Sequence, residues 1–458
     1  GQIGEVDGFA PYLGLAEADV AITAGGDFAL ESVFNPTVMP QVAQDEALQS
    51  GIVRSYYFTY SDSSGLKATS LAGDLNLRNE TPRRFYPVGL IPNQNVYPAD
   101  VTLTAVNGDV AIDSSMLSYP SATGTFELLA QQNIVADGSV VQIRQSRSDP
   151  AVGRVPGPTI PDIIANRPAV PLHQGDLTTN LVVANDGDIT TSNTLQQLTF
   201  RFAKQTLMSA GRNINDVSLA IEQNNPGDFS LIEAGRNINQ APQRRSNGDF
   251  DGNDNRFFEV GGPGRVEFYA GGTVELGAST GILTSGNLRN ISLPADGASI
   301  TVYAGVGADG PDLDGYIDRI IEPGDRIWVD TGAAELLGVD EDASNEEFIA
   351  AIRATDEFTQ REAVKRVYLS EIRAGGIEGT ESGDYTRAFT TIDALFPDEQ
   401  GQAGDLSLLL SQITTESGGD IDIIVPGGLV NGGVASADEL VKEADELGVV
   451  VKRNGSIR

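Results

Sequence analysis

The chain predicts an all-β fold, a parallel β-helix (β-solenoid) carrying a small α-helical insertion. Three observations carry that prediction. The word AGRNIN stands at 210–215 and again at 234–239, so the same residues return after 24 positions. Its outline, apolar residues alternating up to an Ala and then a Gly/Asn/Asp corner, recurs along much of the chain. Finally, 52 of the 458 residues are Gly, well above the usual share of about 7%.

The outline recurs in DVAITAGGDFAL (19–30), KATSLAGDLNLRN (67–79), DVTLTAVNGDVAID (100–113), FELLAQQNIVAD (126–137), NLVVANDGDITTS (180–192), VEFYAGGTVELG (266–277) and SITVYAGVG (299–307). Period-two alternation marks strands with one buried face. Gly, Asn and Asp tolerate the left-handed conformation that sharp corners use. The small residue at each corner is Ala24, Ala72, Ala105, Ala130, Ala184, Ala210, Ala234, Ala270 or Ala304. The corner units Ala210–Gly211, Ala234–Gly235 and Ala270–Gly271 are expected to be structural. One strand–corner–strand unit cannot bury its apolar face alone, whereas stacked units can. A β-sandwich with Gly-rich hairpins is the competing reading, but it gives no reason to repeat one corner word at one coil length. A dozen or more coils at about 4.8 Å each would make a rod of roughly 60 Å.

The spacing widens from Ala234 to Ala270, where a polar excursion at 241–258 interrupts the coils. From 312 to 396 the pattern is helical. Ser344/Glu347 and Thr359/Glu362 both fit a capping box, a hydroxyl followed by Glu three residues on. Phe348, Ile349 and Ile352 then share one face, as do Ala363, Val364, Val367, Tyr368 and Ile372. DYTRAFTTIDALFP (384–397) reads as a third helix stopped by Pro397. Strands resume at 404–433, a short helix is expected at 436–448, and VVVKRNGSIR reads as a strand. The expected division is therefore 1–311 (β-helix with loop insertions), 312–396 (helical insertion) and 397–458 (β-helix continuation).

Composition narrows function. With 64 Asp and Glu against 30 Lys and Arg, the net charge is −34, which disfavours nucleic-acid and anionic-membrane partners. No Cys is present, so disulfides and thiolate metal sites are excluded. No segment approaches the roughly 20 apolar residues of a membrane helix. The N-terminal residues lack a signal-peptide pattern, and the chain reads as an internal piece of a longer mature protein.

Candidate chemistry is sparse. The single His, His173, follows a Pro-rich stretch and is expected in a surface loop. No nucleophile motif accompanies it, and no catalytic residue is assigned. A carboxylate pair for glycan cleavage could be drawn from the many acids, which keeps a β-helical lyase or hydrolase as an alternative. The loop NGDFDGNDN (247–255) places Asp249, Asp251 and Asp254 at near-alternate positions. It reads either as a solvated acidic loop or as a Ca²⁺ site, since hard cations take several oxygen ligands. Asp309, Asp312 and Asp314 form a weaker set. The Arg pairs in TPRRF (81–85) and PQRRSN (242–247) read as loop residues or as contacts for an acidic glycan. Tyr56, Tyr57, Phe58 and Tyr60 could stack on sugar rings or fill a core.

The repeated AGRNI, then GGPGRVEFYAGGTVELGASTGILTSGNL (261–288), ASITVYAGVG, the helical stretch and GDLSLLLSQITTESGGDIDIIVPGGLVNGG (404–433) resemble the large exoproteins of the filamentous-haemagglutinin type. The likeness covers about 180–458 in order and wording; 1–179 shares the coil outline only. It implies a right-handed parallel β-helix, secretion through a partner outer-membrane pore, and a place outside a Gram-negative cell or on its surface. The expected function is a non-enzymatic adhesin or stalk. Expected partners are host or neighbouring cell surfaces or glycans, or further copies in a self-assembled filament or sheath. The excursions at 241–258 and 312–396 are the expected contact surfaces, because loops on a rigid scaffold usually carry them.

Overall fold

The computed structural model describes residues 3, 10–36, 58–78, 95–138, 140–146, 173–192, 197–240, 256–286, 294–308, 310–397, 403–433, 448–451 and 456–457. These form a parallel β-helix with three long, all-parallel sheets. A long-strand sheet of ten strands runs from Asp19–Ala24 to Ile421–Ile424. A short-strand sheet of ten runs from Phe28–Leu30 to Val430–Asn431. A third sheet of nine runs from Asn95–Tyr97 to Gly448–Val451. Strands Tyr12–Gly14 and Ser32–Phe34 add a two-stranded sheet near the start.

One coil shows the path. Thr206–Ala210 turns at Gly211 and Arg212 into Asn213–Asn215. The single residue Asp216, at φ 56°, turns the chain into Val217–Glu222. Phe229–Ala234 then begins the next coil beside Thr206–Ala210. Ten strands at about 4.8 Å make a column of about 45 Å. The ten coils among the described residues are fewer than the dozen or more expected. The chain keeps a 24-residue coil from Ala210 to Ala234 but spends 54 residues from Ala130 to Ala184, so fewer coils fit its length.

The core is a set of inward columns. Ala68, Leu103, Leu128, Val182, Met208, Ile232, Phe268 and Val302 stack along the long-strand sheet. Leu75, Val110, Ile134, Ile189, Ile214, Ile238, Val274 and Leu406 stack along the short-strand sheet. All of these are buried, each contributing about 1.5–3 kcal/mol for the larger side chains.

The corner column is Ala24, Ser70, Ala105, Ala130, Ala184, Ala210, Ala234, Ala270 and Ala304. Ala72 is not part of it; Ser70 holds that register and Ala72 is exposed in the turn. Serine fits because its hydroxyl donates to the carbonyls of Gly26 (2.7 Å) and Gly73 (2.8 Å).

The expected left-handed corners also need correction. Gly211, Gly235 and Gly271 have no positive φ. They are Gly because the coils touch there: a Cβ on Gly235 would lie 2.4 Å from the Gly211 carbonyl oxygen, and one on Gly271 would lie 2.3 Å from that of Gly235.

A polar ladder runs beside these corners. Asp27, Asp74, Asp109, Asn133, Asp188, Thr273 and Asp405 each stand just before a short strand, and Asn213 and Asn237 are the first residues of theirs. Asp27 Oδ1 accepts from the Asp74 N–H (3.2 Å), Asp74 from Asp109 (2.9 Å), Asp109 from Asn133 (2.8 Å), Asn133 from Asp188 (2.9 Å) and Asp188 from Asn213 (2.9 Å). Asn237 Nδ2 donates to Asn213 Oδ1 (3.1 Å), and Asn237 Oδ1 accepts from the Thr273 N–H (2.8 Å). Thr273 Oγ1 then accepts from Asp405 (3.3 Å), and Asp405 Oδ1 from Leu429 (2.8 Å). Every step but the one between Asn237 and Asn213, which joins two side chains, satisfies a backbone N–H that the tight corner takes out of the strand ladder.

Asn237→Ala is expected to lower the unfolding free energy by about 1–2 kcal/mol, because it leaves the Thr273 N–H without this acceptor. Asn239→Ala removes only a bond between side chains, from Asn239 to Asn215, and should cost less. Denaturant midpoints of the two variants check the order.

Candidate functional site

The largest departure from the coil is the helical insertion. The chain leaves the column after Ala304 and rejoins it at Leu406–Ser407. The two ends meet: a Cβ on Gly305, at φ 69°, would lie 2.7 Å from the Gly404 carbonyl oxygen. Among the described residues between them are five helices, α1 (Leu313–Tyr316, continuing as a π-turn over Ile317–Ile321), α2 (Ala333–Leu337), α3 (Asn345–Ala354), α4 (Glu357–Ser382) and α5 (Thr386–Leu395).

Local sequence sets the helix ends. Ser344 and Glu347 form the expected capping box on α3. The expected box at Thr359/Glu362 does not form. Asp356 caps α4 instead, accepting from the Thr359 N–H (3.0 Å) and hydroxyl (2.7 Å), so α4 starts earlier and Glu362 is free to face the solenoid. Asp312 caps α1 through the Gly315 N–H (2.9 Å) and pairs with Arg319 (2.6 Å).

The insertion has its own core, which includes the outward face of the solenoid. Trp328 stacks on Phe348 at 4.5 Å, and Tyr368 packs edge-on against Phe396 and Tyr316. Leu231, Tyr269, Tyr303 and Ile424, which point out of the long-strand sheet, join the same cluster. Phe358 of α4 meets Phe229 at 4.9 Å.

Inside this seat lies an ionic network. Arg361 lies over the Tyr269 ring and approaches Glu267 (3.5 Å). Glu362 joins Lys365 (2.8 Å), Arg366 (2.8 Å) and Arg265 (3.3 Å). Lys365 Nζ also reaches Asp422 (3.1 Å) and donates to Thr301 Oγ1 (2.8 Å). Burial works against the Glu362 carboxylate, but Lys365 and Arg265 outweigh it and hold the group at about 2. Burial raises Glu267 in spite of Lys365 and Arg361. For Lys365, burial is outweighed by Glu362, Asp422 and Glu267, and the ammonium is held charged.

The predicted apolar residues of α4 do face inward, but Arg361, Glu362 and Lys365 are buried beside them. Sequence reasoning missed this set. The signal was in the coils: Arg265, Glu267 and Asp422 are charged residues in strands whose neighbours in register are Phe229, Leu231 and Thr301.

Other candidates are placed as follows. Asp249, Asp251, Asp254, Asp309, Tyr56, Tyr57 and both Arg pairs lie outside the described residues, as do 241–255 of the first excursion and 436–447 of the expected last helix. Among the described residues no cluster of three His, Asp or Glu could hold a metal. Phe58 and Tyr60 pack with Tyr119, and Tyr60 is buried with its hydroxyl donating to the Val96 carbonyl (3.2 Å), so these two fill core.

His173 is not a surface residue. It is 1% exposed, with Nδ1 3.0 Å from Asp176 Oδ2. The same carboxylate oxygen accepts from buried Lys204 (2.8 Å), which also donates to Thr178 and Thr125. The cluster pins the turn before Asn180–Ala184 to the coils on either side. Burial lowers His173, opposed by Asp176; burial also lowers Lys204. Asp176 is held at about 2, because its hydrogen bonds with Lys204, Thr178 and His173 outweigh burial.

Set against protein-family models, curated proteins and solved structures, the chain matches none.

A His whose folded pKa lies below its unfolded value of 6.5 favours the folded state above that value and weakens it as the pH falls through the interval. Stability is therefore expected to drop between about pH 7 and pH 5. His173→Gln, which cannot take up the proton, should flatten that drop. Urea unfolding of both proteins across this range measures it.

Proposed function

We propose that this chain is a stalk segment of a secreted or cell-surface exoprotein of the filamentous-haemagglutinin type, acting as a non-enzymatic adhesin or structural fibre. The observation that carries the reading is the uninterrupted column. Ten coils keep one register on the long-strand sheet while the helical insertion leaves and rejoins at a single corner. Such a column is stiff along its axis and presents its excursions sideways. That is the physical requirement of a stalk that holds contact surfaces away from a membrane.

The order of words from 180 to 458 supports the family part of the reading, and so does the lack of Cys in a chain that would cross a pore unfolded. On this reading the partners are an outer-membrane pore during export and, afterwards, cell-surface proteins or glycans. The charge of −34 disfavours anionic partners of high charge density.

Electron microscopy of the protein sheared from its native cell surface tests the proposal. Single thin rods with free tips are expected, together with retention on cells or glycans without turnover. Ordered lateral bundles would instead make the chain a building block of a filament or sheath. Release of new reducing ends from a polysaccharide would make it an enzyme. Either result overturns the proposal.

A further inference from the structure

We propose that the helical insertion is fastened to the solenoid by an amide bond between Lys365 Nζ and Asp422 Cγ. The inference rests on the seat's geometry and is independent of any adhesive role. Leu231, Glu267, Thr301 and Asp422 form one outward column on successive coils of the long-strand sheet. Lys365 reaches down onto that column from α4. Its Nζ is 2.8 Å from Thr301 Oγ1 and 3.1 Å from Asp422 Oδ2, and the side chains of Lys365 and Asp422 are 6% and 3% exposed.

Of the acids near Lys365, Asp422 is the one suited to react. Glu362 is engaged by Arg366 and Arg265 as well as by Lys365, and it holds its charge firmly. Glu267 sits two coils from Asp422 in the same column, and its burial favours the protonated carboxyl. The seat therefore holds the Lys365 ammonium directly against an acceptor carboxylate. Tyr269 and Tyr303 are buried in the neighbouring outward column, so the seat excludes water.

The step balances without another reagent. The Nζ–Cγ bond forms and the Cγ–Oδ2 bond breaks. Of the three ammonium protons, one stays on the amide nitrogen and two leave with Oδ2 as water. The two protons pass directly from Nζ to Oδ2, which it already contacts at 3.1 Å. A desolvated site favours this direction, because an ion pair that is costly to bury becomes a neutral amide and the released water enters bulk solvent. The product would join α4 to the strand Ile421–Ile424 and close a covalent loop over the insertion's return path.

Intact mass spectrometry of the purified full chain, followed by peptide mapping, tests the proposal. The expected mass is one water below the sequence mass, with a branched peptide joining residues 365 and 422. Lys365→Met should restore the full mass. Asp422→Asn should still react, now losing ammonia. A native chain at full sequence mass, with 365 and 422 in separate linear peptides, would overturn the proposal whether or not any variant folds.

Discussion

Everything in this molecule follows from the close approach of successive coils at one corner. A chain that turns within two or three residues brings its backbone against the coil before it. At that distance a side chain has no room, which is why Gly235 rests on Gly211 and Gly271 rests on Gly235. The same turn takes backbone N–H groups out of the strand ladder, and the Asp/Asn/Thr side chains just before the short strands accept most of them. Once the corner is fixed, the inward columns align and the strand register follows. The 24-residue period between the two AGRNIN words is the length of a coil that adds nothing to this minimum.

The corner also explains how the column tolerates its largest excursion. The path from Ala304 to Leu406 is long, but its ends meet at Gly305 and Gly404, against the glycines of the preceding coil. The insertion costs the column no register. What it adds is a second core, in which Trp328, Phe348 and Tyr368 on the helical side combine with Leu231, Tyr269 and Tyr303 on the solenoid side. The buried charges of α4 meet complementary charges on the coils, so the seat is specified by ion pairing as well as by apolar contact. Removing one partner of such a network is expensive, because it leaves the other buried and uncompensated.

Much of the fold was legible in the sequence. Alternation located strands such as Asp100–Ala105 and Phe229–Ala234, and the Ala before each corner gave the register in eight of the ten coils; Ser70 takes its place in one, and the last strand, Ile421–Ile424, has no such Ala. At Ser70 the rule failed because a serine whose hydroxyl is satisfied occupies the same volume as alanine. The Asp and Asn residues of the corners were visible, but left-handed tolerance was the wrong reason for them. Their register partners lie one coil away, and a single coil's sequence does not show which N–H each carboxylate accepts from. The Ser344 capping box was legible because it is local. The α4 seat and the His173 cluster were not, since charged residues normally stay in water. Here their partners, Glu267 and Asp422 for the one and Lys204 for the other, come from distant parts of the chain.

Hydrogen exchange at single-amide resolution tests the central claim most directly. The amides of Asp74, Asp109, Asn133, Asp188, Asn213 and Thr273 stand in corners, where exposed turns exchange quickly. If the side-chain ladder and the close coil contacts set the structure, these amides will exchange as slowly as the flanking strand amides of Leu103, Leu128 and Val182. Exchange at the rate of open loops, beside protected strands, would contradict the account and leave inward apolar packing as the sole source of coil register.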